Sequence, residues 1–151
     1  MCLLTKERKM RTATEDIICY KVLLYHEPTG KYLSPYNQNF EWDVDKKGAI
    51  SAKGRVNIAK AGNLFGYFVN GGAFHTYKEY NAPARLLFLS DARNKDAKNE
   101  FKLALATCVI PKGTKYYHGR TSTGLTPFLL EDGYASKKLK IQTVSFVEKA
   151  K

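Results

Sequence analysis

The sequence is poor in the features that settle a function outright. Its 151 residues hold three cysteines, Cys2, Cys19 and Cys108, an odd number with no C-x-x-C spacing. That pattern argues against a disulfide scaffold and against a zinc-ribbon arrangement. Cys19 and Cys108 lie in apolar runs, where a reduced cysteine packs as a small hydrophobe, so both are expected as buried thiols. The three histidines, His26, His75 and His118, are far apart and form no H-x-x-x-H, so no metal site is expected. No apolar run approaches the roughly 18–20 residues that span a bilayer, and no membrane partner is expected. A P-loop, a dinucleotide fingerprint and a G-x-S-x-G elbow are all absent. Gly62-x-x-x-Gly66 runs into a strand-like segment, the wrong context for a phosphate. The paired carboxylates Glu41/Asp43 and Glu131/Asp132 read as strand and turn surface. No cofactor is expected, and no strong catalytic motif is present.

What is present is an ordinary globular composition with an unusual charge. Apolar residues make up 44% and charged residues 26%, which suits one soluble domain. The formal net charge is +11. Residues 1–11 contribute +3 through Lys6, Arg8, Lys9 and Arg11 against Glu7, and residues 137–151 contribute +4. The long body between them contributes only +4. Basic ends attract polyanions without sequence preference, and they also keep a small protein soluble. The chain is therefore read as a basic amino-terminal tail over 1–11 and a single α+β domain over 12–151, with Met10 as an alternative start. The apolar stretch at Met1 is too short for a signal peptide, which points to the cytoplasm.

Along the body, Tyr20 to Tyr25 is rich in strand formers and stops at Glu27-Pro28-Thr29-Gly30, so residues 20–34 read as a hairpin. Phe40, Trp42 and Val44 alternate with acidic residues, as in a half-buried strand. Leu64 to Val69 reads as a buried strand ending at Asn70-Gly71-Gly72. Thr76 with Glu79 three residues later forms a capping box, which predicts the main helix around 77–92. Phe101 to Val109 alternates along the longest strand candidate, closed by Pro111-Lys112-Gly113-Thr114. Lys115 to His118 should pair back, Gly119 to Gly124 reads as a polar loop, and Glu131-Asp132-Gly133 as a turn. Seven or eight mostly antiparallel strands with one main helix make the expected class α+β.

Two segments stand out chemically. A glycine pair before a helix start exposes backbone N–H groups to an anion, so Gly71, Gly72, His75 and Thr76 form one candidate ligand site. The ordinary alternative is a tight strand-to-helix turn. In the second segment aromatics and bases interleave, as a nucleobase and its phosphate would require: Lys115, Tyr117, Arg120 and Ser122. Its ordinary alternative is a strand with one aromatic face. Arg55 is a further candidate contact.

The segments Tyr20-Lys21-Val22, Gly72-Ala73-Phe74-His75-Thr76-Tyr77, Cys108 through Tyr117 and Tyr134 through Ile141 resemble an uncharacterised group of small bacterial and phage proteins. That group runs a Gly-Phe-His turn into a helix and an Ile-Pro-x-Gly-Thr turn into closing strands; here Ala73 interrupts the first motif. The resemblance covers about half the chain. It implies a phage or mobile-element setting in a bacterial host and no particular activity. In that setting the expected function is a non-catalytic accessory protein binding a nucleotide signal or nucleic acid. A structural or virion protein, held in a homo-oligomer or by a partner, is the alternative. A second alternative is an enzyme resembling ADP-ribosyltransferases, for which Lys21 or His26, Ser136 and Glu148 stand in the required order.

Overall fold

Ile17 to Leu24 is almost continuously apolar, and such a run is stable as a strand only when both of its faces are covered. The computed structural model covers both faces of this run from Val22 to Leu24 and leaves Ile18 exposed; it describes residues 3–33, 41–42, 48–52, 56, 58–60, 66–69, 73–80, 101–122 and 130–146. Among these residues there are thirteen strands. The first seven are β1 (Leu3–Thr5), β2 (Arg11–Thr12), β3 (Ile17–His26), β4 (Lys31–Leu33), β5 (Glu41–Trp42), β6 (Ile50–Ser51) and β7 (Ile58–Lys60). They are followed by β8 (Tyr67–Val69), β9 (Phe74–Tyr77), β10 (Phe101–Ile110), β11 (Lys115–Ser122), β12 (Leu130–Ser136) and β13 (Lys138–Phe146). Neighbours run β6-β13-β10-β3-β9-β12-β11-β1-β8-β7, with β2 on β11 and with β4 joining β3 to β5. The pairings are antiparallel throughout.

β3 and β10 form the spine, in unbroken register from His26↔Phe101 to Ile17↔Ile110. Val22, Leu23 and Leu24 are all buried although consecutive side chains face opposite ways. One face carries the larger core: Cys19, Leu23, Trp42, Phe74, Ala104, Ala106, Cys108, Ile110, Tyr134 and Leu139 among others. On the other face, farther along the sheet, Leu3, Val69, Ala73, Tyr117 and Ala135 form a second cluster.

The first strand is interior. β1 lies between β11 and β8, with Leu3 opposite both Thr121 and Val69. Two glycines make room for it. A Cβ on Gly119 would stand 2.2 Å from the Leu4 carbonyl oxygen, and one on Gly66 would stand 2.6 Å from that of Thr5. The Thr5 hydroxyl then donates to the His118 carbonyl at 2.8 Å.

The expected α+β class with a main helix is corrected: the described residues form antiparallel sheet and contain no helix. Tyr77, the expected first helical residue, ends β9, while 81–92 lies outside the described residues. The capping box is a local signal, and here the sheet outweighs it. Phe74, Thr76 and Tyr77 are buried, and β9 pairs with β12 from Phe74↔Ser136 to Tyr77↔Gly133. Two expected connections are strand as well. Gly119 to Ser122 continues β11, and Glu131-Asp132-Gly133 lies within β12, because each segment pairs with the other. The Pro111–Thr114 turn is present, closed by a hydrogen bond from Thr114 N to Pro111 O at 3.1 Å.

Candidate functional site

Alternation along β3 puts Cys19, Lys21, Leu23 and Tyr25 on one face. The register sets Cys108, Ala106, Ala104 and Lys102 of β10 beside them in that order. At the Tyr25 end, Tyr32 of β4 lies opposite Tyr25, Trp42 of β5 opposite Tyr32, and Phe146 of β13 opposite Ala104. Tyr20↔Tyr77 joins β3 to β9, and the same antiparallel register brings Lys21 opposite Thr76. One sheet face therefore runs from an aromatic corner open to water to a polar cluster inside the core.

At the open end three rings from three strands meet. Tyr25 lies 5.0 Å from Tyr32 and 5.3 Å from Phe146 between ring centroids, and Tyr32 is stacked on Phe146 at 6.5 Å. Phe146 is 50% exposed, unusual for a phenylalanine on a core-bearing face. The Lys102 ammonium stands 5.9 Å from the Phe146 centroid and 3.0 Å from Glu27 Oε1.

At the inner end Lys21 Nζ donates to the His75 carbonyl at 2.8 Å and lies 5.2 Å from the Trp42 centroid. Trp42 packs on Phe74 at 5.0 Å. Burial pulls the Lys21 amine below the ordinary lysine range, and the adjacent Cys108 and Cys19 thiols oppose that only in part. Among the described residues no carboxylate pairs with it. Burial also pushes the Cys19 thiol up to about 11, against smaller opposing effects of Thr76 and Lys21, and raises Cys108 further. Both thiols are buried, free and protonated at neutral pH. Among the described residues no group of three or more His, Cys, Asp and Glu is placed to hold a metal.

The residues singled out from the sequence do not converge on one site. Gly71, Gly72 and Arg55 lie outside the described residues. His75 and Thr76 sit within β9, two strands away from β11 across β12. His75↔Ala135↔Tyr117 form a row on one face, and Thr76↔Tyr134↔His118 a row on the other. Tyr117 is buried and its hydroxyl donates to the Arg8 carbonyl at 3.5 Å. Lys115 donates to Thr12 Oγ1 at 2.6 Å, and Arg120 stands 3.6 Å from Asp132. The backbone of Ser122 ends β11. His75 and Thr76 do contribute to the inner cluster, through a backbone carbonyl and a side-chain hydroxyl. Of the residues set in the order of a transferase, Lys21 and Ser136 share the core face. Ser136 is fully buried with its hydroxyl donating to the Lys138 carbonyl at 2.9 Å, His26 Nδ1 lies 2.7 Å from Thr29 Oγ1, and Glu148 is outside the described residues.

The aromatic corner was not among the expected site residues. Its signal in the sequence is Tyr25 and Tyr32 flanking the Glu27–Gly30 turn, which a hairpin necessarily brings side by side. Phe146 joins them only through the β13–β10–β3 pairing, which has no local signature. Compared with known proteins, the chain matches no family model, no curated protein and no solved structure.

Proposed function

We propose that the protein is a non-catalytic module that binds single-stranded nucleic acid, stacking bases on the Tyr25, Tyr32 and Phe146 corner. The observation that supports this reading is the open ring of Phe146, flanked by two tyrosines and an exposed lysine on a regular sheet. A base stacked on such a ring contributes about 1–3 kcal/mol and tolerates any sequence, since every base has a flat face. Exposed Lys102 stands on β10 beside the rings, placed for the phosphates that follow the bases. The net charge of +11 adds a long-range, salt-dependent attraction. In this reading the protein works in the cytoplasm of a bacterial host, in a phage or mobile-element setting.

The test is fluorescence anisotropy with a labelled oligo-dT at fixed salt. Phe146→Ala is expected to weaken binding by about tenfold, one stacked base's worth. Ile18→Ala, which trims an exposed side chain on the opposite face, should leave it unchanged. Wild-type affinity in Phe146→Ala, with binding abolished by replacing Lys6, Lys9, Lys149 and Lys151 with glutamine, would assign binding to the basic ends and end the stacking reading.

A further inference from the structure

We propose that Lys21 is a nucleophilic amine that condenses with a small aldehyde. Nothing in this depends on nucleic-acid binding. An uncharged amine has two hydrogens and one lone pair. Donating one hydrogen to the His75 carbonyl at 2.8 Å fixes the nitrogen and leaves the lone pair available. The groups facing it are the Cys19 and Cys108 thiols from β3 and β10, the Trp42 ring from β5 and the Thr76 hydroxyl from β9. Among the described residues no carboxylate is there to hold an ammonium. Burial lowers the proton affinity of the amine in the same sense. Lys21 nevertheless keeps partial exposure, so the cluster is not sealed.

Thr76 is the second observation. It is 2% exposed, and among the described residues its hydroxyl has no oxygen or nitrogen partner, only the weak hydrogen bond of the Cys19 thiol. A buried hydroxyl without such a partner is costly, and a ligand oxygen arriving opposite Lys21 supplies one. In the reaction the Nζ lone pair attacks the carbonyl carbon, forming a C–N bond while the C=O π pair moves to oxygen. A proton passes from nitrogen to that oxygen, giving a carbinolamine that Thr76 holds by a hydrogen bond. Loss of the hydroxyl as water, with the remaining N–H proton, forms the imine. The sum is amine plus aldehyde giving imine plus water, with no oxidation or reduction. Neutral amines are the reactive form, which is why buried lysines serve in Schiff-base chemistry.

The experiment uses the full-length protein and propanal as the probe, trapped with cyanoborohydride and mapped by peptide mass spectrometry. Trypsin does not cut at a modified lysine, so the adduct appears on residues 12–31. At about pH 7 that peptide should carry at least about tenfold more label than any peptide from an exposed lysine. The ratio should fall toward one near pH 10, where exposed amines also lose their protons. Lys21→Arg should lose this adduct alone, and Thr76→Val should slow its formation several-fold. The wild-type pH profile decides the matter even if a variant fails to fold. A peptide 12–31 left unlabelled, or labelled with the same pH dependence as exposed lysines, overturns the proposal. An unchanged rate in Thr76→Val overturns the part given to the hydroxyl.

Discussion

Lys21 and Lys102 lie on the same sheet face, and each stands over an aromatic ring, at 5.2 Å from Trp42 and 5.9 Å from Phe146. Their surroundings are otherwise opposite. The Lys102 side chain is 57% exposed and has Glu27 at 3.0 Å. Lys21 has a backbone carbonyl as its acceptor and two protonated thiols as neighbours. The ring is common to both, so the ring does not decide their charge. Attraction between an ammonium and a ring is of order 0.5–2 kcal/mol, whereas enclosing an unpaired ammonium costs several. Lys102 has water and a counter-charge beside it, whereas burial with no carboxylate partner among the described residues moves Lys21 toward the free amine. One face thus carries an exposed ion pair beside stacking rings at one end and an amine without such a partner at the other.

The largest contrast should lie in the rings themselves. Trp42 is 3% exposed, so Trp42→Ala should cost about 3–5 kcal/mol in urea unfolding, while Phe146→Ala should cost under about 1 kcal/mol. Equal losses would make the open corner part of the core and break the comparison. Next comes the oligonucleotide effect already assigned to Phe146, about 1.4 kcal/mol of binding at nearly unchanged stability. A variant that lost both together would report packing and no recognition.

A smaller effect separates the two lysines. The folded amine of Lys21 lies below its ordinary 10.5, so the unfolded chain binds the extra proton over the window between the two values. Wild-type stability therefore rises with pH through that window as this difference disappears. The thiols act in the other sense: raised in the fold above an ordinary 9.0, they add stability that is lost as pH rises past that value. Burial is the main cause of the thiol shifts in wild type and in Lys21→Met alike, so most of their contribution cancels in the difference. Lys21→Met should be more stable than wild type by about 1 kcal/mol near pH 7, with the advantage shrinking toward pH 10. Lys102→Met, which removes an exposed pair with Glu27, should change stability by less than about 1 kcal/mol. The smallest effect is Glu27→Gln, worth under about 0.5 kcal/mol and erased by high salt, as expected for an exposed pair.

The strands were legible where periodicity was strong. The turn at Glu27–Gly30, the alternation from Phe101 to Val109 and the turn at Pro111–Thr114 all have local signatures, and each is found in the sheet. The helix start at Tyr77 was misread because Thr76 and Glu79 satisfy a capping pattern that two residues within four positions define. What makes Thr76 a strand residue is its partner Tyr134, nearly sixty positions away. The same distance hid the site. Lys21 is conspicuous in the sequence as one charge inside Ile17 to Leu24, yet only the register shows that Thr76 faces it and that Trp42 covers it. Arg120 and Lys115 looked available in the sequence, and the sheet gives each a partner.

The most direct test of the contrast between the two ends is an NMR titration of the lysine side chains, following the carbon and nitrogen shifts next to each amine from about pH 6 to 11. Lys21 should lose its proton at a pH below the ordinary lysine range. A Lys21 amine that keeps its proton through that whole range would contradict the account of an amine held by burial without a counter-charge.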